Sequence, residues 1–171
     1  MDLRETILAE HSKANCTKIV YWIGNNSQRF DTVVHLFLTD KDPRVVQRSA
    51  WPLSELVLLY PALIKKHLGK ILQFVTKPGL HDAVKRNTVK ILQFINIPRQ
   101  YEGKVMNLCF DYLLDPNEKP AVKAFSLTVL QHLSQQYPEI KQELKMIIED
   151  RWEFETAAFH SRAKKILKEI N

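Results

Sequence analysis

The segment 83–94, AVKRNTVKILQF, has a near copy at 121–133, AVKAFSLTVLQHL. Ala83/Ala121, Val84/Val122, Lys85/Lys123, Leu92/Leu130 and Gln93/Gln131 are identical at a separation of 38 residues. The same step backwards reaches VVQRSAWPLSEL at 45–56, where Val46, Ala50 and Leu53 take the places of Val84, Thr88 and Ile91. A step forward of 37 reaches AFHSRAKKILK at 158–168, where Ala163, Ile166 and Leu167 recur. Pro61, Pro98 and Pro138 each close one of these segments. Self-similarity at a fixed period of about 20–50 residues marks stacked repeats, whose units bury their apolar faces against one another. A shorter echo, KILQF at 70–74 and 90–94, has no further copies twenty residues on, so it marks the two helices of one hairpin.

Each segment has the spacing of one helical face. Val84, Thr88, Ile91, Leu92 and Ile95 follow it, and Val122, Ser126, Val129, Leu130 and Leu133 repeat it. The preceding segments are helical as well, through Val33, Val34, Phe37 and Leu38, then Ile71, Leu72 and Val75, then Phe110, Leu113 and Leu114. Asp42-Pro43, Pro120 and Thr156 suit cap or first-turn positions. With four glycines and no stretch that alternates as a strand, the expected fold is all-α. The hairpins fall near 2–11 and 13–24, 28–39 and 43–60, 62–76 and 81–96, 101–114 and 119–136, and 138–152 and 156–170. All connections are short, so one domain over 1–171 is expected, with 1–26 as an N-terminal capping hairpin.

A length of 171 residues, 45% hydrophobic and 26% charged, suits a folded globular chain. The formal charge of +6 permits an anionic partner without requiring one. Cys16 and Cys109 belong to no metal or redox spacing and sit in apolar helical contexts, so buried, reduced thiols are expected. The opening MDLRETILAEHSK lacks the basic and apolar regions of a secretory signal. The longest apolar run, around LVLLYPALI, is too short to span a bilayer. A cytoplasmic protein without membrane contact is expected.

The DPRVVQRSA stretch (42–50) opening one second helix resembles the HEAT repeat, whose pattern has Asp-Pro, then Val with a basic or polar residue, then a small residue. Val46-Gln47 with Ala50, Val84-Lys85 with Thr88, and Val122-Lys123 with Ser126 occupy those positions over residues 28–170, with Gln or Lys where the family has arginine. RSAWPL, HDAVKRN, IPRQYEG and PAVKAF together look like a group of small bacterial HEAT-like proteins. Some of those carry the label adenylosuccinate lyase, an enzyme with a loop reading SSxMPxKxNP; that loop is absent here and the chain is far too short for that fold. The resemblance implies a right-handed α-α superhelix, a HEAT or armadillo-like solenoid of about five hairpins with a period near 38 residues. It also implies that the second helices line a concave surface.

No glycine-rich phosphate loop is present, and the six histidines lack ligand spacing, so neither cofactor nor metal is expected. His81-Asp82 reads as a helix start rather than a base and its orienting carboxylate. Ser49, Ser126 and Ser134 lie within helices, not on a nucleophile's sharp turn. Trp22 and Trp51 read as packing residues. Beside the apolar stripe of the second helices stand Arg44 and Arg48, then Lys85, Arg86 and Lys90, then Lys123. Arg162, Lys164, Lys165 and Lys168 continue the positive charge. Arg48, Lys85, Arg86, Lys90 and Lys123 are the candidate partner-binding residues, forming a basic ladder along the groove. The expected function is a non-catalytic scaffold for an acidic or amphipathic protein segment. The alternative is a nucleic-acid binder resembling the HEAT-like alkylpurine DNA glycosylases. A structural reading competes at Lys85 and Lys123, where the residue after valine would bond to an inter-helix turn.

Overall fold

The computed structural model describes residues 1–170, in two compact units that divide between Ile95 and Asn96. The described residues form ten α-helices and no strand. The first unit holds α1 (Leu3–Ala9), α2 (Lys13–Ile23), α3 (Ser27–Thr39), α4 (Pro43–Leu59), α5 (Leu68–Val75) and α6 (Asp82–Leu92). The second holds α7 (Arg99–Leu114), α8 (Pro120–Ser134), α9 (Ile140–Arg151) and α10 (Ala157–Ile170). A family of helical hairpins in the order expected from the repeats is therefore present.

Short polar residues start the first four helices. Asp2, Ser12, Asn26 and Asp42 each accept a hydrogen bond from a first-turn backbone N–H, which removes one of the orphan donors of a helix end. Pro43 and Pro120 sit in the first turn, where no intrahelical donor is needed. Pro52 lies inside α4 and buried, where it cannot donate to the carbonyl four residues earlier.

One expected helix is broken. Residues 62–76 form a 3-10 turn over Pro61–Ile64 and then α5. Between them, Lys66 Nζ and His67 Nε2 each reach Asp31 of α3 at 2.7 Å, so the turn is fastened to the neighbouring hairpin instead of continuing its own helix. Likewise α6 stops at Leu92 rather than 96, closing with Phe94 N–H donating to the Ile91 carbonyl. The second KILQF copy therefore straddles a helix end, and Phe94 is exposed.

In the first unit α4 packs against α1, α2, α3 and α6 around a core that includes Phe30, Phe37, Val45, Leu53, Leu56, Ile71, Val84 and Ile91. In the second unit α8 packs against α7, α9 and α10. The residues facing these contacts fix the repeat register. The N-caps Asp42, His81 and Lys119 are 39 and then 38 residues apart. Ser49 Oγ donates to the Val45 carbonyl at 2.7 Å, and Ser126 Oγ to the Val122 carbonyl at 2.8 Å, at the same place in their helices. Thus Val45, and not Val46, is the counterpart of Val84 and Val122; all three are fully buried, whereas Val46 is half-buried. By the same shift Arg48 aligns with the buried Asn87, and Gln47 aligns with Arg86. The strict 38-residue step, which would set Arg48 opposite Arg86, is off by one residue here because the N-caps Asp42 and His81 are 39 residues apart.

Leu92 and Leu130 are at most 1% exposed on the inner faces of α6 and α8. Leu92→Ala and Leu130→Ala are each expected to lower unfolding free energy by about 2–5 kcal/mol in urea titrations, the cost of a buried cavity. Losses under about 0.5 kcal/mol at both sites would contradict this packing, since that is the scale of surface changes.

Candidate interaction surface

Four of the five candidate cations lie in the first unit, and most are already engaged. Arg48 Nη1 donates to the Leu8 carbonyl of α1 at 2.7 Å. Lys90 Nζ donates to Glu55 Oε1 of α4 at 2.7 Å, joining two neighbouring second helices. Lys85 is half-buried, and Arg86 is exposed. Lys123, in the second unit, is not a surface cation. Its ammonium donates to Glu155 Oε1 at 2.7 Å with both side chains under 5% exposed, and Arg151 Nε reaches the same oxygen at 2.8 Å. The expected binding role of Lys123 is corrected accordingly. The residue after the repeat's valine closes on the turn before α10, which is the structural alternative set out above.

The exposed face of the second helices in the first unit follows from spacing. On α4, Arg44, Gln47, Trp51, Glu55 and Leu58 are three or four residues apart and share one side. On α6, Arg86 and Lys90 share a side, one turn short of Phe94. On α2 the corresponding residues are Lys13, Thr17, Val20 and Tyr21. This face changes character along its length. Cations stand toward the helix N-termini (Lys13, Arg44, Arg86), and apolar groups toward the C-termini (Tyr21, Leu58, Leu59, Phe94).

Between α2 and α4 the apolar part forms a groove of about 400 Å³, lined by Lys13, Cys16, Thr17, Val20, Trp51, Glu55, Leu58 and Leu59. Leu59 is 60% exposed, Phe94 59% and Tyr21 90%. Trp51, expected to serve packing, is half-buried and also meets the His11 ring edge-on at 5.8 Å. Leu58 and Leu59 were not among the sequence candidates. The available signal was the run Leu56-Val57-Leu58-Leu59, which extends beyond the single face that a core can absorb. Trp22 is a packing residue, with the Arg29 guanidinium 4.5 Å over its ring.

The remaining polar residues hold structure. His81 Nδ1 accepts from the Ala83 N–H as the N-cap of α6. His160 Nε2 donates to the Trp152 carbonyl and stacks on its indole at 4.3 Å. Among the described residues no cluster of histidine, cysteine or carboxylate groups could hold a metal ion. No helix among the described residues is long and apolar enough to cross a membrane. Cys16 and Cys109 are both buried free thiols, and burial pushes each up to about 12.

A family model described as a HEAT repeat domain matches residues 3–170. No curated protein and no solved structure shows significant similarity to the chain.

Lys123→Ala is expected to destabilise the fold by about 3–5 kcal/mol, because it leaves Glu155 buried beside a single remaining cation. Paired replacement, Lys123→Met with Glu155→Leu, should cost clearly less than the sum of the two single changes. Chemical denaturation of the four proteins measures the difference; additive costs would show that the pair is uncoupled. Both thiols should react slowly with a thiol reagent under native conditions at pH 8 and rapidly once unfolded, since a group titrating near 12 is almost wholly protonated there. Rapid native labelling at both would contradict their burial.

Proposed function

We propose that this chain, which belongs to the HEAT repeat domain family, is a non-catalytic scaffold that binds a protein segment along the exposed face of α2, α4 and α6. Helical repeats of this kind commonly mediate protein interactions, and stacked repeats offer extended surfaces for doing so. The observation that carries the reading is the groove beside Leu58 and Leu59. Two adjacent leucines on one helix end stand against Val20 and Trp51 and stay exposed among the described residues. Removing such surface from water contributes about 25 cal/mol per Å², so a partner residue seated there gains affinity that a solvated face would not provide.

The cationic end of the same face sets the partner's chemistry. Arg86 and Lys13 are exposed, and Arg44 is held by its own N-cap Asp42 at 2.8 Å. A segment with acidic residues at one end and apolar residues at the other matches this gradient, and so the acidic or amphipathic partner foreseen from the sequence is retained. The site differs from the expected ladder. Arg86 and Lys85 stay in it, Arg48 and Lys90 act mainly by bracing neighbouring helices, and Lys123 is left out because it is buried. Charge here serves orientation and encounter rate more than affinity.

The test uses the intact chain as bait in native lysate treated with nuclease. Protein retained by the wild type should be lost from Leu58→Glu/Leu59→Glu and reduced in Arg86→Glu, with melting temperatures within about 2–3 °C of wild type, as exposed positions tolerate change. Nucleic acid co-eluting in a salt-sensitive manner, and lost with Arg86→Glu but not with the leucine variant, would favour the nucleic-acid alternative instead.

A further inference from the structure

The second unit carries a surface of opposite sign. The last turn of α9 ends in Glu149, Asp150 and Arg151, and a 3-10 turn, Trp152–Phe154, follows it. Glu149, Asp150, Trp152, Glu153, Phe154 and, from α10, Leu167 line a groove of about 430 Å³. Phe154 is 77% exposed. The cation of this turn, Arg151, is withdrawn into the contact with Glu155. Lys164 and Lys168 flank Leu167 along α10 but do not line the groove. Among the described residues, Glu149, Asp150 and Glu153 have no ion-pair partner, so three carboxylates ring an exposed aromatic floor.

Two features set this apart from ordinary solvated surface. Glu149 and Asp150 occupy the C-terminal turn of α9, where the helix's free carbonyls already present negative charge and a carboxylate is unfavourable. A local choice that opposes the fold's own electrostatics is the kind of conflict that function retains. The indole of Trp152 is also held in place, by His160 stacked on it and bonded to its carbonyl, so the apolar wall is ordered before anything binds.

We propose that this groove binds a segment of a partner protein in which Lys or Arg residues neighbour a large apolar residue. The apolar side chain would lie against Phe154, Trp152 and Leu167, and the cations would sit among Glu149, Asp150 and Glu153, within reach of the aromatic faces. A volume of this size, at the small end of binding pockets, takes one or two side chains rather than a folded domain. This site is independent of the surface proposed on α2, α4 and α6.

The probe is a fluorescein-labelled peptide of alternating Lys and Leu, with an alternating Glu and Leu peptide as control, titrated by fluorescence anisotropy with the intact chain. A net charge of +6 gives no general attraction for a basic peptide, so its binding reports local carboxylates. The Lys peptide should bind, more weakly at high salt, and the Glu peptide should not bind at this groove. Glu149→Lys/Glu153→Lys and, separately, Phe154→Ala should each weaken the Lys peptide at least about tenfold with unchanged thermal transitions. Leu58→Glu/Leu59→Glu should leave it unaltered. The proposal is overturned if the Lys peptide fails to bind, or binds the charge-reversed variant equally well. It is equally overturned if Leu58→Glu/Leu59→Glu abolishes binding, or if sedimentation reveals a dimer that Phe154→Ala dissolves, which would give the groove to a second copy of the chain.

Discussion

Close approach between second helices is the constraint on which both units depend. A lone hairpin of two short helices cannot cover its apolar stripe, so α4 must lie against α6, and α8 against α10, to complete a core. Helix axes 8–10 Å apart tolerate only small groups where they cross. Small residues, Ser49, Thr88, Ser126 and Ala163, recur at one register position in α4, α6, α8 and α10, and each is at most 2% exposed. The buried hydroxyls of Ser49 and Ser126 are satisfied inside their own helices by the carbonyl four residues earlier, whereas the buried Thr88 hydroxyl has no partner among the described residues. Four residues before each of them stands a fully buried apolar residue, Val45, Val84, Val122 and Phe159 in turn. The helix can sink only as far as that pair allows.

This constraint made the architecture legible. Period, helix number and most boundaries were readable because burial repeats wherever hairpins stack, and burial is what apolar spacing encodes. The misreadings arose where something other than burial decided. Nothing local predicts the break at residues 65–67, because it depends on Asp31, more than thirty residues away, taking up both Lys66 and His67. The one-residue register error at α4 came from two consecutive valines, Val45 and Val46, either of which fits the repeat; the Ser49 bond to Val45 and the full burial of Val45 distinguish them.

The candidate site was less legible for a related reason. A cation at a recurring position says where a side chain starts, not where its charge ends. Lys123 and Lys85 share a register, yet Lys123 is spent on Glu155, a residue thirty-two positions on that the repeat pattern does not mention. Lys90 is likewise directed to Glu55. Long cationic side chains in a stacked fold find carboxylates on the next repeat, and a ladder of lysines in sequence becomes a set of inter-helix struts. Such struts contribute little when exposed and become structurally decisive only when buried, as at Lys123. Apolar residues cannot be diverted in this way. Once the core is full, the surplus on a helix must face water, and for that reason Leu58, Leu59 and Phe154 are better pointers to function than the cations are.

The distribution of uncommitted charge follows the same logic. In the first unit the carboxylates facing the second-helix surface are used up, Glu55 by Lys90 and Asp42 by Arg44, and the exposed remainder there is cationic and apolar. In the second unit the buried Glu155 side chain draws in Lys123 and Arg151, and among the described residues the carboxylates around Phe154 have no ion-pair partner. Internal pairing thus strips one sign from each surface, so that a chain of net charge +6 presents a basic-apolar face on one unit and an acidic-apolar groove on the other. Two apolar surfaces of like character would compete for one partner; for the two binding roles proposed above, opposite charge at the rims would let each surface reject what the other accepts.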